Sequence, residues 1–141
     1  MQENAIETIE LEMAVLFRRF TSITHKKFGN LDRSAYLLLH QISAHGSAGV
    51  KTLADEFRLD ISTVSRQTAA LENKGYVYRI PDPSDRRSYF LQITELGKKE
   101  LLACKRARLA RITKLLENWS EEERELFGRL LRKFNRTIIE E

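Results

Sequence analysis

Between Asp60 and Thr94 the apolar period of the chain changes partway through, and few folds accommodate that change. Up to Gly75, the residues Val64, Thr68 and Leu71 recur at steps of four and three, the repeat of one helix face. Over 76–80 and 88–94 the chain alternates as strands do. The loop between them carries Pro81 and Pro83, which restrict the backbone on either side of a tip. Asp60 suits the helix N-cap, its carboxylate able to accept from the amides of Ser62 and Thr63. Gly75 suits the stop. A helix therefore runs straight into a two-stranded ribbon.

The flanks read as helices. Over 4–27, Ile6, Ile9, Met13, Leu16, Phe17, Phe20 and Ile23 form one amphipathic stripe. Gly29 and Asn30 break it, and Asp32 caps the next helix, "RSAYLLLHQISA". "HGSAG" is a turn, and "VKTLADEFRL" a short helix with Thr52 and Asp55 spaced as a capping box. After the ribbon, Thr94 caps a helix running to about Trp119. Ser120 and Glu123 box the start of a last helix that carries Leu126, Phe127, Leu130, Leu131, Phe134 and Ile138. A helix pair followed at once by a ribbon is the winged helix-turn-helix arrangement. The expected fold is a single domain over 1–141, mainly α with a small antiparallel β-ribbon. Residues 30–97 form the winged helix-turn-helix lobe, and 1–29 and 98–141 the long dimerisation helices.

Charge adds direction. The 141 residues carry a net +4. Between Lys98 and Lys114 there are seven lysines and arginines against one acid, while the first 16 residues have none. Alone, such a run fits a solvated helix face as well as a polyanion's partner. No stretch approaches the ~20 apolar residues of a membrane span, and the acidic opening is unlike a secretion signal. One cysteine, Cys104, permits no internal disulfide. A cytoplasmic protein with no membrane partner is expected.

Rotation by about 100° per residue from an inward Val64 turns Ser62, Thr63, Ser65, Arg66, Ala69 and Ala70 outward or to the flanks. Small hydroxyls, one arginine and two alanines let a helix sit deep in a B-DNA major groove, where arginine matches the two acceptors of guanine. Asp82 and Asp85 can bind local amides or hold an arginine side chain. Arg86 and Arg87 then project from the ribbon tip, toward the negative potential of a minor groove. Double-stranded DNA is the expected partner. An ordinary surface helix and an exposed loop with a local Asp–Arg pair are the plainer readings of the two parts.

Residues 53–97 closely resemble the signature region of the MarR family of bacterial transcription regulators. The matches are LA at 53–54, STVSR at 62–66, L-E-x-K-G at 71–75, D-P-x-D-R-R at 82–87 and I-T-x-x-G at 93–97. Gln67 and Thr68 depart from it, being polar where the family is often apolar. The resemblance implies a homodimer on a palindromic operator, a recognition helix at 61–74, wing arginines at Arg86 and Arg87, and a repressor. It also implies a small-molecule effector between the dimer base and the DNA lobes, with Phe17, Phe20, Tyr36 and His40 as the positions to inspect, although core packing explains all four. The apolar stripes Ile6 to Ile23 and Leu126 to Ile138 support pairing independently, since a two-fold axis buries both and spaces the recognition helices about 34 Å apart.

Other chemistry finds no footing. Some MarR relatives sense oxidants through a cysteine near the start of the first helix. Cys104 lies elsewhere, and beside Leu101 it reads as a buried small hydrophobe. His25, His40 and His45 lack the spacing of a metal site, and no cofactor or catalytic motif is evident, so an enzyme is not expected. The rival reading is a winged-helix module that binds protein rather than specific DNA.

Overall fold

A computed structural model of the chain describes residues 4–23 and 30–140. The elements run α1 (Ala5–Ile23), α2 (Arg33–His45), β1 (Ala48–Gly49), α3 (Val50–Phe57), α4 (Ile61–Asn73), β2 (Val77–Pro81), β3 (Tyr89–Ile93), α5 (Glu95–Leu115) and α6 (Glu121–Glu140). His25, Gly29 and the expected end of the first helix at residue 27 lie outside the described residues.

Three expected caps form. Asp32 Oδ1 accepts from the Ala35 amide at 2.9 Å, and Thr94 Oγ1 accepts from the Gly97 amide at 3.0 Å. The Ser120 amide donates to Glu123 Oε1 at 2.8 Å, and the Glu123 amide to Ser120 Oγ at 3.1 Å. Each satisfies amides that a helix start leaves open. The stop at Gly75 also forms. This residue has φ +79°, and the Gly75 and Tyr76 amides return to the carbonyls of Glu72 (2.9 Å) and Leu71 (3.0 Å), which is the double-bonded helix end glycine favours.

Four expectations are corrected. Thr52 and Asp55 form no capping box: α3 begins at Val50, with Gly49 as an extended N-cap that has no side-chain bond, so Thr52 lies already inside the first turn. Gly49 is held there because β1 pairs with β3, Ala48 against Leu91 and Gly49 against Phe90. The expected ribbon of β2 and β3 forms, and β1 joins it as a third antiparallel strand in the order β1-β3-β2, so part of the expected turn "HGSAG" is instead a strand. Asp60 takes the extended N-cap backbone, but its carboxylate makes no capping bond. Finally, α5 ends at Leu115 rather than near Trp119. Arg124 donates to the Leu116 carbonyl at 2.8 and 3.1 Å, and the Trp119 ring packs on Phe127 with centroids 5.3 Å apart.

The core joins α2 to α5 and the sheet: Leu31, Leu38, Leu39, Ile42, Leu53, Val64, Leu71, Val77, Leu91 and Cys104 are all buried. Thr68 is buried with them at 2 % exposure, and its hydroxyl donates to the Ser65 carbonyl at 3.1 Å. The polar residue at this position therefore packs without an orphaned donor. At the head of α5, a Cβ added to Gly97 would lie 2.2 Å from the Tyr76 carbonyl oxygen and 2.7 Å from Ile93 Cγ1. Only glycine lets α5 approach the sheet this closely.

α1 and α6 contribute no residue to this core, although Arg58 in the turn after α3 donates to the Ile139 carbonyl near the end of α6. Among their described side chains none is buried, and Ile6, Ile9, Leu16, Phe17 and Phe20 are exposed, as are Leu126, Phe127, Leu130, Leu131, Phe134 and Ile138. No helix among the described residues is long and apolar enough to cross a membrane.

Candidate nucleic-acid interface

α3 and α4 are joined by a three-residue turn. Arg58 takes a left-handed backbone there (φ +52°), while the Leu59 amide returns to the Ala54 carbonyl at 2.9 Å. α4 then packs Val64, Thr68 and Leu71 inward against α2, α3 and β2. Its opposite side follows from the same period. Ser62, Arg66 and Ala70 are exposed, with Thr63, Ser65 and Ala69 half-buried on the flanks. Because the Asp60 carboxylate does not cap the helix, the amides of Ser62 and Thr63 stay open to an incoming acceptor, at the positive end of the helix dipole.

The wing leaves the sheet through β2 and returns through β3, with Val77 opposite Ile93 and Pro81 opposite Tyr89. Its tip is built by the two aspartates. Asp82 Oδ1 accepts from the Ser84 amide at 2.9 Å, and Asp85 Oδ1 from the Arg87 amide at 2.9 Å. The Asp82 amide donates to the Ser88 carbonyl at 3.3 Å, and the Ser88 amide to the Asp85 carbonyl at 3.1 Å. Of the two roles open to Asp82 and Asp85, binding local amides is the one they play; among the described residues neither pairs with an arginine. Arg86 and Arg87 are both exposed.

Sequence reasoning missed two groups that hold these parts together. Arg79 on β2 reaches back to Glu72 in the last turn of α4, Nε to Oε1 at 3.1 Å, and its guanidinium lies 4.2 Å from the centroid of the Tyr89 ring. Glu72 and Arg79 are separated by a helix end and a turn, so no period connects them. Thr94 does more than cap α5: its hydroxyl also donates to the Gly75 carbonyl at 2.7 Å, and its amide to the Tyr76 carbonyl at 3.0 Å. One residue thus ties the end of α4 to the root of α5.

The positions marked for an effector are less concentrated. Tyr36 and His40 lie together on α2, with ring centroids 6.3 Å apart, and the Arg108 guanidinium lies 4.6 Å from the Tyr36 ring centroid. Phe17 and Phe20 are exposed on α1. His45 instead meets Glu56 at 2.7 Å, while Gln41 donates to the other Glu56 oxygen at 2.6 Å. No cluster of three or more potential metal ligands occurs among the described residues.

Helix, turn, helix and then a ribbon with an exposed cationic tip define a winged helix-turn-helix protein. The comparisons narrow this class. The sequence model of the MarR family matches residues 31–89. The uncharacterized HTH-type transcriptional regulator YxaD of Bacillus subtilis (strain 168) is 47% identical over 140 residues, 98% of each chain. The transcriptional regulator HosA of Escherichia coli O111:H- is 28% identical over 122 residues, 86% of this chain and 90% of HosA. A crystal structure of MarR superposes with a TM-score of 0.80 at 22% identity, covering 99% of this chain and 97% of that one. A mutant MarR from E. coli complexed with operator DNA gives 0.71 at 18% identity, covering 94% and 99%. The chain belongs to the MarR family and is a winged helix-turn-helix transcriptional regulator.

Proposed function

We propose that two copies of the chain bind an inverted repeat in double-stranded DNA and repress transcription from promoters that carry it. α4 enters the major groove, with Arg66 reading a guanine and Ser62, Thr63 and Ser65 meeting phosphates or base edges. Arg86 and Arg87 enter the flanking minor grooves. The observation that carries this reading is the pairing of an uncapped, polar helix start with a wing tip whose aspartates are occupied by backbone amides, leaving two exposed arginines. A second copy covers the apolar faces of α1 and α6, whose large side chains are exposed along both helices. A small-molecule effector near Tyr36 and His40 shifts the spacing of the two lobes and releases the operator.

Selection of bound sequences from random duplexes at about 0.15 M salt tests this directly. The expected product is an inverted repeat with half-site centres about one turn apart. Enrichment of no sequence over the starting pool would refute it. A winged helix that binds protein instead would keep its partner after loss of Arg66, Arg86 and Arg87.

A further inference from the structure

We infer that Arg79 is the positioning residue that sets the wing against the recognition helix, so that Arg86 and Arg87 act only while Arg79 holds both elements. This rests on the DNA-binding reading above and deepens it.

The wing is a long lever on a short base. β2 and β3 are five residues each, and β1, the third strand of their sheet, is only two residues long. Two-stranded ribbons twist readily, so the pairing from Val77–Ile93 to Pro81–Tyr89 does not by itself fix the angle between the ribbon and α4. Something must brace it. β2 leaves α4 through only three residues, 74–76, and Arg79 spans the resulting corner. Its Nε is 3.1 Å from Glu72 Oε1 on the last turn of α4, and the same guanidinium lies 4.2 Å from the Tyr89 ring centroid, on the strand that returns from the tip. One planar cation therefore touches the recognition helix on one side and the far strand of the wing on the other.

The guanidinium suits this work. It donates at its edge while stacking at its face, which a lysine ammonium cannot do together. Glu72 lies near the C-terminal, partially negative end of α4, where a carboxylate is not favoured by the helix dipole. Its place there is explained by the arginine it meets. Arg79 and Glu72 are both partly exposed, with side-chain exposures of 48% and 33%. The pair therefore adds little to global stability, and its role is in the angle it enforces.

A double-mutant cycle separates positioning from bulk stabilisation. The probe is the duplex that the parent protein itself enriches from a random pool. Arg79→Met keeps the apolar stem and removes both contacts. The expected loss of affinity is about tenfold in the parent background and less than about twofold in the Arg86→Ala, Arg87→Ala background. Arg79→Lys recovers only part of the loss. Hydroxyl-radical footprints of Arg79→Met should lose protection in the outer minor grooves and keep that of the central half-sites. Equal losses in the two backgrounds, or an unchanged footprint, overturn the role of Arg79 while leaving the wing contacts standing. If the Arg86→Ala, Arg87→Ala protein binds as the parent does, the reading of the wing itself falls, and that of Arg79 with it.

Discussion

Single residues divide into those whose role follows from period and those whose role follows from a partner. Ser62 and Arg66 face outward because Val64 faces inward, and helical arithmetic suffices to say so. Arg66→Ala should then relax base preference at one position per half-site, at a cost of about 1–3 kcal/mol, with little change in thermal stability. Sequencing of the selected pool checks this. Cys104 belongs to the second kind. Burial pushes its thiol above the ordinary value, Arg108 pulls it back less strongly, and Glu100 adds to the rise. Tyr76 is raised too, by burial first and then by Glu100. The folded chain thus keeps protons that the unfolded chain gives up. The associated stability is complete below the ordinary thiol value of about 8.5 and is lost as pH rises past it. Melting temperature should fall on going from pH 8 to pH 10, less steeply in Cys104→Ala. The native thiol should also resist maleimide at pH 7.5 until the protein is unfolded.

Among the elements, starts and stops were legible wherever a side chain alone decides them. Asp32, Thr94 and the Ser120–Glu123 pair cap as their spacing predicts, because an N-cap needs only a short acceptor beside open amides. The start of α3 falls at Val50 as the sequence suggests, but what fixes it there was not legible. β1 is two residues long and has no alternation to read, and it exists because β3 supplies its partner. Once Gly49 is held in the sheet, α3 must begin at Val50. The joint at Gly97 shows the same dependence. The sequence offers a glycine inside a helix, an unfavourable choice by propensity, and the contact with Tyr76 explains it. Gly97→Ala should destabilise the lobe by about 1–3 kcal/mol through overpacking against backbone that cannot yield. Thermal denaturation measures this, and an unchanged melting temperature would show that α5 can shift at no cost.

For the whole molecule, the apolar faces of α1 and α6 dominate. They have the side chains of a core and, among the described residues, none of its burial. A two-fold assembly should appear by light scattering as twice the 16.4 kDa chain mass at micromolar concentration, and a monomeric mass would reject the pairing. Two bound lobes should also give steep salt dependence, with a log–log slope of about −0.9 for each phosphate neutralised. Substitutions on α5 at Lys105 or Arg106 should leave that slope nearly unchanged if these charges only raise the local potential, and lower it by about 1 each if they touch phosphate.

By itself the sequence determined the order and kind of every element except β1, the outward face of α4 and the cationic tip. Period, capping and turn chemistry act over a few residues and are written in neighbouring letters. Only the tertiary structure decided that β1 pairs with β3, that Gly97 sits against a carbonyl, that Thr94 joins two helices and that Arg79 bridges Glu72 and Tyr89. Those contacts link residues brought together by the packing of a common core, and no local pattern records which partners that packing will supply.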